Sequence, residues 1–171
     1  MSRVDIVWRE EVAPSDEALV GSLCRSSGFF YEEEIEVAEE LVRERLDKGP
    51  ASGYHFIFAE TEQATLGYAC YGPIACTRFS WDIFWVAVDQ VHRGQGVGKR
   101  LMGEVEARIS RLGGQRLYVE TSSRRQYQPT RAFYEAIGYR QEAFLEDFYA
   151  PGDGKIVLVK TMASVIVSFH F

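Results

Sequence analysis

Val86-Ala87-Val88-Asp89-Gln90-Val91-His92-Arg93-Gly94-Gln95-Gly96-Val97-Gly98-Lys99-Arg100 is the stretch on which the reading of this chain turns. A strand rich in β-branched and aromatic residues, Ile83–Val88, runs into it, and a helix from about Gly98 to Leu112 leaves it. Glycines at a strand-to-helix turn let the backbone approach a ligand without side-chain interference. The first N–H groups of a helix have no partner within it, and the helix dipole favours an anion at that end. Arg93, Lys99 and Arg100 add positive charge at the same place. The segment therefore reads as a phosphate or pyrophosphate site. A Walker loop would need Gly-Lys-Ser/Thr, and Gly98-Lys99-Arg100 supplies no hydroxyl. A dinucleotide fingerprint would need G-x-G-x-x-G, whereas the spacing here is G-x-G-x-G. A glycine-rich turn with no ligand is the plain alternative.

Working outward, the N-terminal side carries a short strand, Val4–Arg9, and a helix from Asp16 to Ser26 that Gly28 stops. Asp16 and Glu17 are acids at the positive helix end. A second helix spans about Tyr31 to Lys48, with Ile35, Ala38, Leu41, Val42 and Leu46 on one face. Strands His55–Glu60 and Leu66–Tyr71 form a hairpin pattern. Beyond the glycine turn come a strand, Arg116–Thr121, and a short helix, Thr130–Ile137, stopped by Gly138. Strands near Arg140–Tyr149 and Lys155–Thr161 follow, joined by Pro151-Gly152-Asp153-Gly154. The order predicts an α/β (α+β) domain whose mixed central sheet, flanked by helices, has an antiparallel N-terminal half and a βαβ C-terminal half. A single domain over residues 1–171 is expected.

The chain has 171 residues, 46% apolar and 26% charged, which suits one soluble globular domain. Its net charge of −6 disfavours nucleic acid as a partner. Three cysteines, irregularly spaced, make neither a zinc site nor a disulfide framework. No signal peptide or membrane span is read, so the expected setting is cytoplasmic, with no membrane partner and no metal.

Arg93-Gly94-Gln95-Gly96-Val97-Gly98 resembles the Q/R-x-x-G-x-G/A signature of the GNAT N-acetyltransferases, and Phe133-Tyr134-Glu135-Ala136-Ile137-Gly138-Tyr139 resembles that family's F/L-Y-x-x-x-G-F/Y segment. The likeness in element order covers about residues 3–161 and is strongest from Ile83 to Tyr149. It implies acetyl-coenzyme A as acyl donor, its pyrophosphate on the amides of Gly94 to Lys99, with Arg93, Gly94, Gln95, Gly96, Val97, Gly98, Lys99 and Arg100 as the cofactor-binding run. The backbone of Val86, Ala87 and Val88 would lie along the pantetheine arm.

The same resemblance implies that Tyr134 donates a proton to the leaving thiolate; otherwise it is a half-buried aromatic. An attacking amine must lose a proton, and two carboxylates are candidates. Glu120 lies in the strand beside the cofactor strand. Asp82 is read as preceding Ile83–Val88, and matches by spacing the glutamate base of the histone acetyltransferase branch. The sequence does not choose between them. Where many members carry an asparagine contacting the cofactor, this chain has Tyr127, which puts that contact in doubt; Tyr127 could instead face the acceptor.

By the resemblance, the helix pair borders the acceptor cleft. Phe29, Phe30, Tyr31, Glu32, Glu33 and Glu34 form an aromatic cluster running into acids, a wall suited to a cationic amine with an apolar portion. The plainer reading is acids decorating a first helical turn. His55 and His92 read as surface or packing residues. The apolar tail Ser164–Phe171 can add a strand or pair with a second copy, so a homodimer is one assembly it allows. The expected activity is acetyl transfer to a primary amine of a small molecule or peptide; the alternative is a non-catalytic acetyl-coenzyme A sensor or partner-binding module.

Overall fold

The computed structural model describes residues 5–163. Among the described residues four α-helices and seven strands follow in the expected order: β1 (Val7–Arg9), α1 (Asp16–Ser27), α2 (Glu32–Lys48), β2 (His55–Glu60), β3 (Thr65–Pro73), β4 (Ser80–Val88), α3 (Val97–Arg111), β5 (Arg116–Ser122), α4 (Gln128–Ala136), β6 (Arg140–Ala150) and β7 (Asp153–Thr161). All the strands join one sheet in the order β1-β2-β3-β4-β5-β7-β6. β1 to β4 are antiparallel neighbours, β4 and β5 are parallel, and β5, β7 and β6 are antiparallel again. The expected mixed α/β architecture is the observed one. Among the described residues no helix is long and apolar enough to cross a membrane. The tail Ser164–Phe171 lies outside the described residues.

The helices cover the two faces of the sheet. α3 turns Leu101, Met102, Val105 and Ile109 inward, against Trp81, Ile83, Leu117, Val119 and Leu158, and Val97 packs with Ala59 and Leu66. α1 and α2 bury Val20, Leu23, Cys24, Ile35, Ala38 and Val42 on the other face, against Phe56, Phe58, Tyr68 and Cys70. β2 and β3 are therefore buried on both faces, and their sequences are continuously apolar through Phe56–Ala59 and Leu66–Tyr71. Leu46, assigned to the buried face of α2, is exposed, because it lies in the last turn beyond the reach of the sheet.

The placement of Asp82 is corrected. β4 begins at Ser80, so Asp82 lies inside the strand rather than before it, opposite Gly72 on β3 and Tyr118 on β5. Asp16 is a first-turn acid of α1, as read from the sequence, and it has a second role. It is buried, accepting Arg9 Nη1 and Nη2 at 2.8 and 2.9 Å and the Ala13 N–H at 2.8 Å. Arg9 also reaches Glu60 Oε1 at 2.7 Å, so one guanidinium joins β1, β2 and the start of α1.

The feature that shapes the site is a short pairing. β4 and β5 match only at Ser80↔Arg116, Trp81↔Leu117 and Asp82↔Tyr118, and then part. The register of β4 against β3 jumps from Tyr71↔Ile83 to Cys70↔Trp85, which leaves Phe84 as the extra residue of a bulge. Bulges bend and twist a strand. Beyond this one, Phe84 and Trp85 both pack toward the α1–α2 side.

Replacing Asp16 by Ala leaves Arg9 and the Ala13 amide without their acceptor. Urea unfolding is expected to show a loss of about 2–3 kcal/mol with an unchanged slope, below the cost of opening a fully buried pair because Arg9 keeps some water.

Candidate functional site

After Val88 the chain leaves the sheet through a tight turn, in which the Asp89 carboxylate accepts the Val91 N–H at 2.9 Å. Gly94 and Gly96 follow with φ of 72° and 78°, the left-handed region in which a side chain would be strained. A Cβ at either glycine would meet open space. α3 then starts at Val97. Among the described residues the backbone N–H groups from Gly94 to Lys99 donate to no protein acceptor. This run of unsatisfied donors at a helix start fits an anion, and the pyrophosphate of a coenzyme matches it in charge and in acceptor number.

The turn opens into a cleft of ≈ 1110 Å³ that follows the gap between β4 and β5. Its floor is Asp82–Val88, and β5 contributes Val119–Ser122. α4 brings Phe133 and Tyr134, and the loop between α1 and α2 brings Phe29, Phe30, Tyr31, Glu33 and Glu34. Charge is segregated along it: Arg93 and Lys99 lie at the glycine turn, whereas Glu33, Glu34, Asp82, Glu120 and Asp153 lie toward the other end, with Arg124 among them.

Most of the residues singled out from sequence meet here, though not all. Val86, Ala87, Val88, Arg93, Gly94, Gly96, Val97, Gly98, Lys99, Tyr127 and Tyr134 line the cleft, as do Phe29, Tyr31, Glu33, Asp82 and Glu120. Gln95 does not: its side-chain amide turns back to Val91 O at 3.2 Å. Arg100 lies instead over the Trp8 ring, 5.9 Å from its centroid. Glu32 faces away from the cleft and pairs with Arg25 on α1. Arg93 serves the architecture: its guanidinium donates to Ser27 O and lies 4.7 Å from the Phe29 ring centroid.

Tyr127 spans the cleft, its hydroxyl donating to Phe29 O at 2.8 Å. A second strap runs beside it. Arg124 donates to the Tyr31 hydroxyl and pairs with Asp153 at 3.0 Å, and Asp153 accepts the Ser122 hydroxyl at 2.5 Å. Sequence reading missed Arg124, Asp153 and Tyr149 because only the register of β5, β7 and β6 brings them to the cleft. Phe84 and Trp85 were visible as aromatics, but their facing depends on the bulge.

The two candidate carboxylates sit in different surroundings. Glu120 is half exposed and pairs with Lys155 Nζ at 2.6 Å. Asp82 has no hydrogen-bond or ion-pair partner among the described residues. Partial burial raises its pKa above the ordinary aspartate value, the negative charge of Glu120 adds to this, and Lys155 opposes it. Tyr134 is fully buried against Phe133 and Tyr139, with ring centroids at 5.2 and 5.3 Å. Burial raises its pKa, so it stays a phenol at neutral pH. The cleft thus offers an anion seat at one end, a slot between parted strands, a carboxylate with raised proton affinity and a protonated phenol.

A family profile described as an acetyltransferase (GNAT) domain matches residues 52–141, over half of the chain. The chain belongs to the GNAT acetyltransferase family. A crystal structure of a GNAT-family protein from Desulfovibrio desulfuricans is 43% identical, with 93% of this chain and 100% of that one covered and a TM-score of 0.91. PaiA N-acetyltransferase from Thermoplasma acidophilum, crystallised with coenzyme A, is 19% identical over 93% of this chain and 100% of its own, with a TM-score of 0.71; that likeness speaks for the fold. An uncharacterized protein of Mycobacterium leprae is 27% identical over 68% of this chain, which spans only 32% of that relative's length.

Asp82 binds its proton more tightly folded than unfolded, so its contribution to stability falls as the pH rises through the unfolded value of about 3.9 toward the folded one. Asp82→Asn is therefore expected to melt at a higher temperature than the parent at pH 7. The difference should close as the pH falls below about 3.9, as followed by circular dichroism.

Proposed function

We propose that this protein is an acetyl-coenzyme A-dependent N-acetyltransferase acting on a primary amine of a small molecule or peptide by direct attack. The observation that carries the reading is the run of unsatisfied amides from Gly94 to Lys99 at one end of a slot that leads to Asp82. The crystal structure of the Thermoplasma protein holds coenzyme A, which supports a coenzyme A ligand on this fold. When bound, acetyl-coenzyme A supplies a thioester, an already activated acyl group with a good leaving sulfur.

In this reading the amides of Gly94–Lys99 and the charge of Lys99 hold the pyrophosphate, while the unpaired edge of β4 from Ile83 to Val88 offers backbone groups to the pantetheine arm and one N–H to the thioester carbonyl. The aromatic and acidic wall of Phe29, Tyr31 and Glu33 admits a cationic amine. Asp82 accepts the ammonium proton, freeing the nitrogen lone pair to attack. Tyr134 holds its proton at the hydroxyl for the departing sulfur, from the side of the sheet that α4 covers, and the second proton shed by the acylated nitrogen restores the phenol. Glu120, tied to Lys155, supports the charge pattern rather than moving a proton. Positioning supplies much of the acceleration because the acyl group arrives activated.

The test is release of coenzyme A thiol from acetyl-coenzyme A with a panel of polyamines, aminoglycosides, amino acids and peptide N-termini. Release with one class of amine is expected, falling by about 100-fold in Asp82→Asn and about 10-fold or more in Tyr134→Phe, with a smaller loss in Glu120→Gln. Tight acetyl-coenzyme A binding with no release from any amine would replace this reading with that of a binding module.

A further inference from the structure

We propose that Lys155 is a positioning residue of the transfer reaction: by pairing with Glu120 it holds that carboxylate out of proton transfer and leaves Asp82 free to accept the ammonium proton. The inference rests on the N-acetyltransferase reading of the cleft. On the β5–β7 ladder Ser122 stands opposite Lys155 and Glu120 opposite Val157, which makes Glu120 and Lys155 diagonal neighbours on one face. Their charged ends are 2.6 Å apart. The Lys155 side chain is 12% exposed against 50% for Glu120, so the lysine is the fixed member of the pair.

What fixes it is an irregularity in β6. The β6–β7 register breaks between Leu145 and Ala150, where Asp147 takes a φ of 51° and its carboxylate accepts the Gly152 N–H at 2.7 Å. The excursion carries Phe148 and Tyr149 over the lysine, with Nζ 3.7 and 5.9 Å from their ring centroids. A cation held on an aromatic face and against a carboxylate has little freedom to swing away. Asp147 and the two rings thus act through Lys155.

The consequence falls on Asp82. The ionisable groups that line the cleft or share its register row are Glu120 and Tyr118 on β5, Asp153 on β7, Tyr149 on β6, Glu33 and Glu34 on α2, Arg124, the phenols Tyr31, Tyr127 and Tyr134, and, at the glycine turn, His92, Arg93 and Lys99. Arg124 is committed to Asp153 and Tyr31. Lys155 stands just behind Glu120, and of all these charges Glu120 raises and Lys155 lowers the proton affinity of Asp82. With the lysine in place, Asp82 faces a compensated pair. Without it, Asp82 faces a bare carboxylate, and two like charges side by side compete for one proton.

The experiment measures kcat/KM against pH for the full chain, with an amine chosen by thiol release, in the parent, Lys155→Met, Lys155→Arg, Glu120→Gln and Asp82→Asn. Lys155→Met is expected to move the acid limb up by about 0.5–1 pH unit, a loss of about 3–10-fold below the limb that closes on the alkaline plateau. Lys155→Arg restores the limb. Glu120→Gln, which leaves the lysine uncompensated, moves it down, and this variant decides the matter should Lys155→Met fail to fold. An unmoved limb in Lys155→Met and Glu120→Gln, or a uniform loss at every pH, overturns the proposal. If Asp82→Asn keeps both turnover and the limb, the underlying assignment of the proton acceptor fails instead.

Discussion

Three residue pairs join β4 to β5, and the rest of the molecule is arranged around the consequence of their stopping there. Parallel neighbours in a sheet interior normally pair along their length, because unpaired backbone groups away from water are expensive. Here the edge of β4 beyond Asp82 and that of β5 beyond Tyr118 separate into a cleft instead of closing. The bulge at Phe84 bends β4 away, and β7 satisfies the far side of β5 along its full length, from Arg116↔Thr161 to Ser122↔Lys155. The gap is therefore held open by structure on both sides. It is also where backbone donors are left over for something that is not protein.

The parting also sorts the chemistry by face. Helices α1 and α2 cover one face of the sheet only over its first strands, so Asp82, Glu120 and Lys155 look out on a side that, among the described residues, no helix closes. Tyr134 arrives from the opposite side on α4, within the same apolar cluster as α3. A carboxylate and a phenol thus approach one slot from two faces, in surroundings that raise the proton affinity of both. Such a division suits a reaction that removes a proton at one end of a bond exchange and returns one at the other.

The order of elements and the glycine turn were legible in the sequence because both are local. Helix periodicity, strand alternation and the breakers Gly28, Gly49-Pro50 and Gly138 act over a few residues, and the seat for an anion needs only a turn and a helix start. What was not legible depends on register. Asp82 was placed before its strand because Ser80-Trp81 carries no alternation signal that a reader could separate from the loop. The partners of Glu120 and Arg124, Lys155 and Asp153, come from β7, far along the chain, and nothing near either residue announces them. Glu32 and Glu33 are neighbours in the same acidic run, yet a helix rotates adjacent residues apart, so one reaches Arg25 and the other the cleft.

Arg93 gives the architecture a further property. Its guanidinium sits at the foot of the glycine turn yet is fastened to Ser27 and Phe29, the carbonyl and ring that begin the opposite wall. The glycine turn and the aromatic wall are therefore mechanically one unit, joined by the Arg93 side chain and, beside it, by the Gln90 N–H on Ser26 Oγ at 3.1 Å. Restraint applied at the turn is felt at the aromatic wall, and by reciprocity a molecule pressed against that wall stiffens the turn. A chain that exchanged the loop after α1 for another would have to supply a new carbonyl and a new ring for residue 93, or let the two ends drift apart.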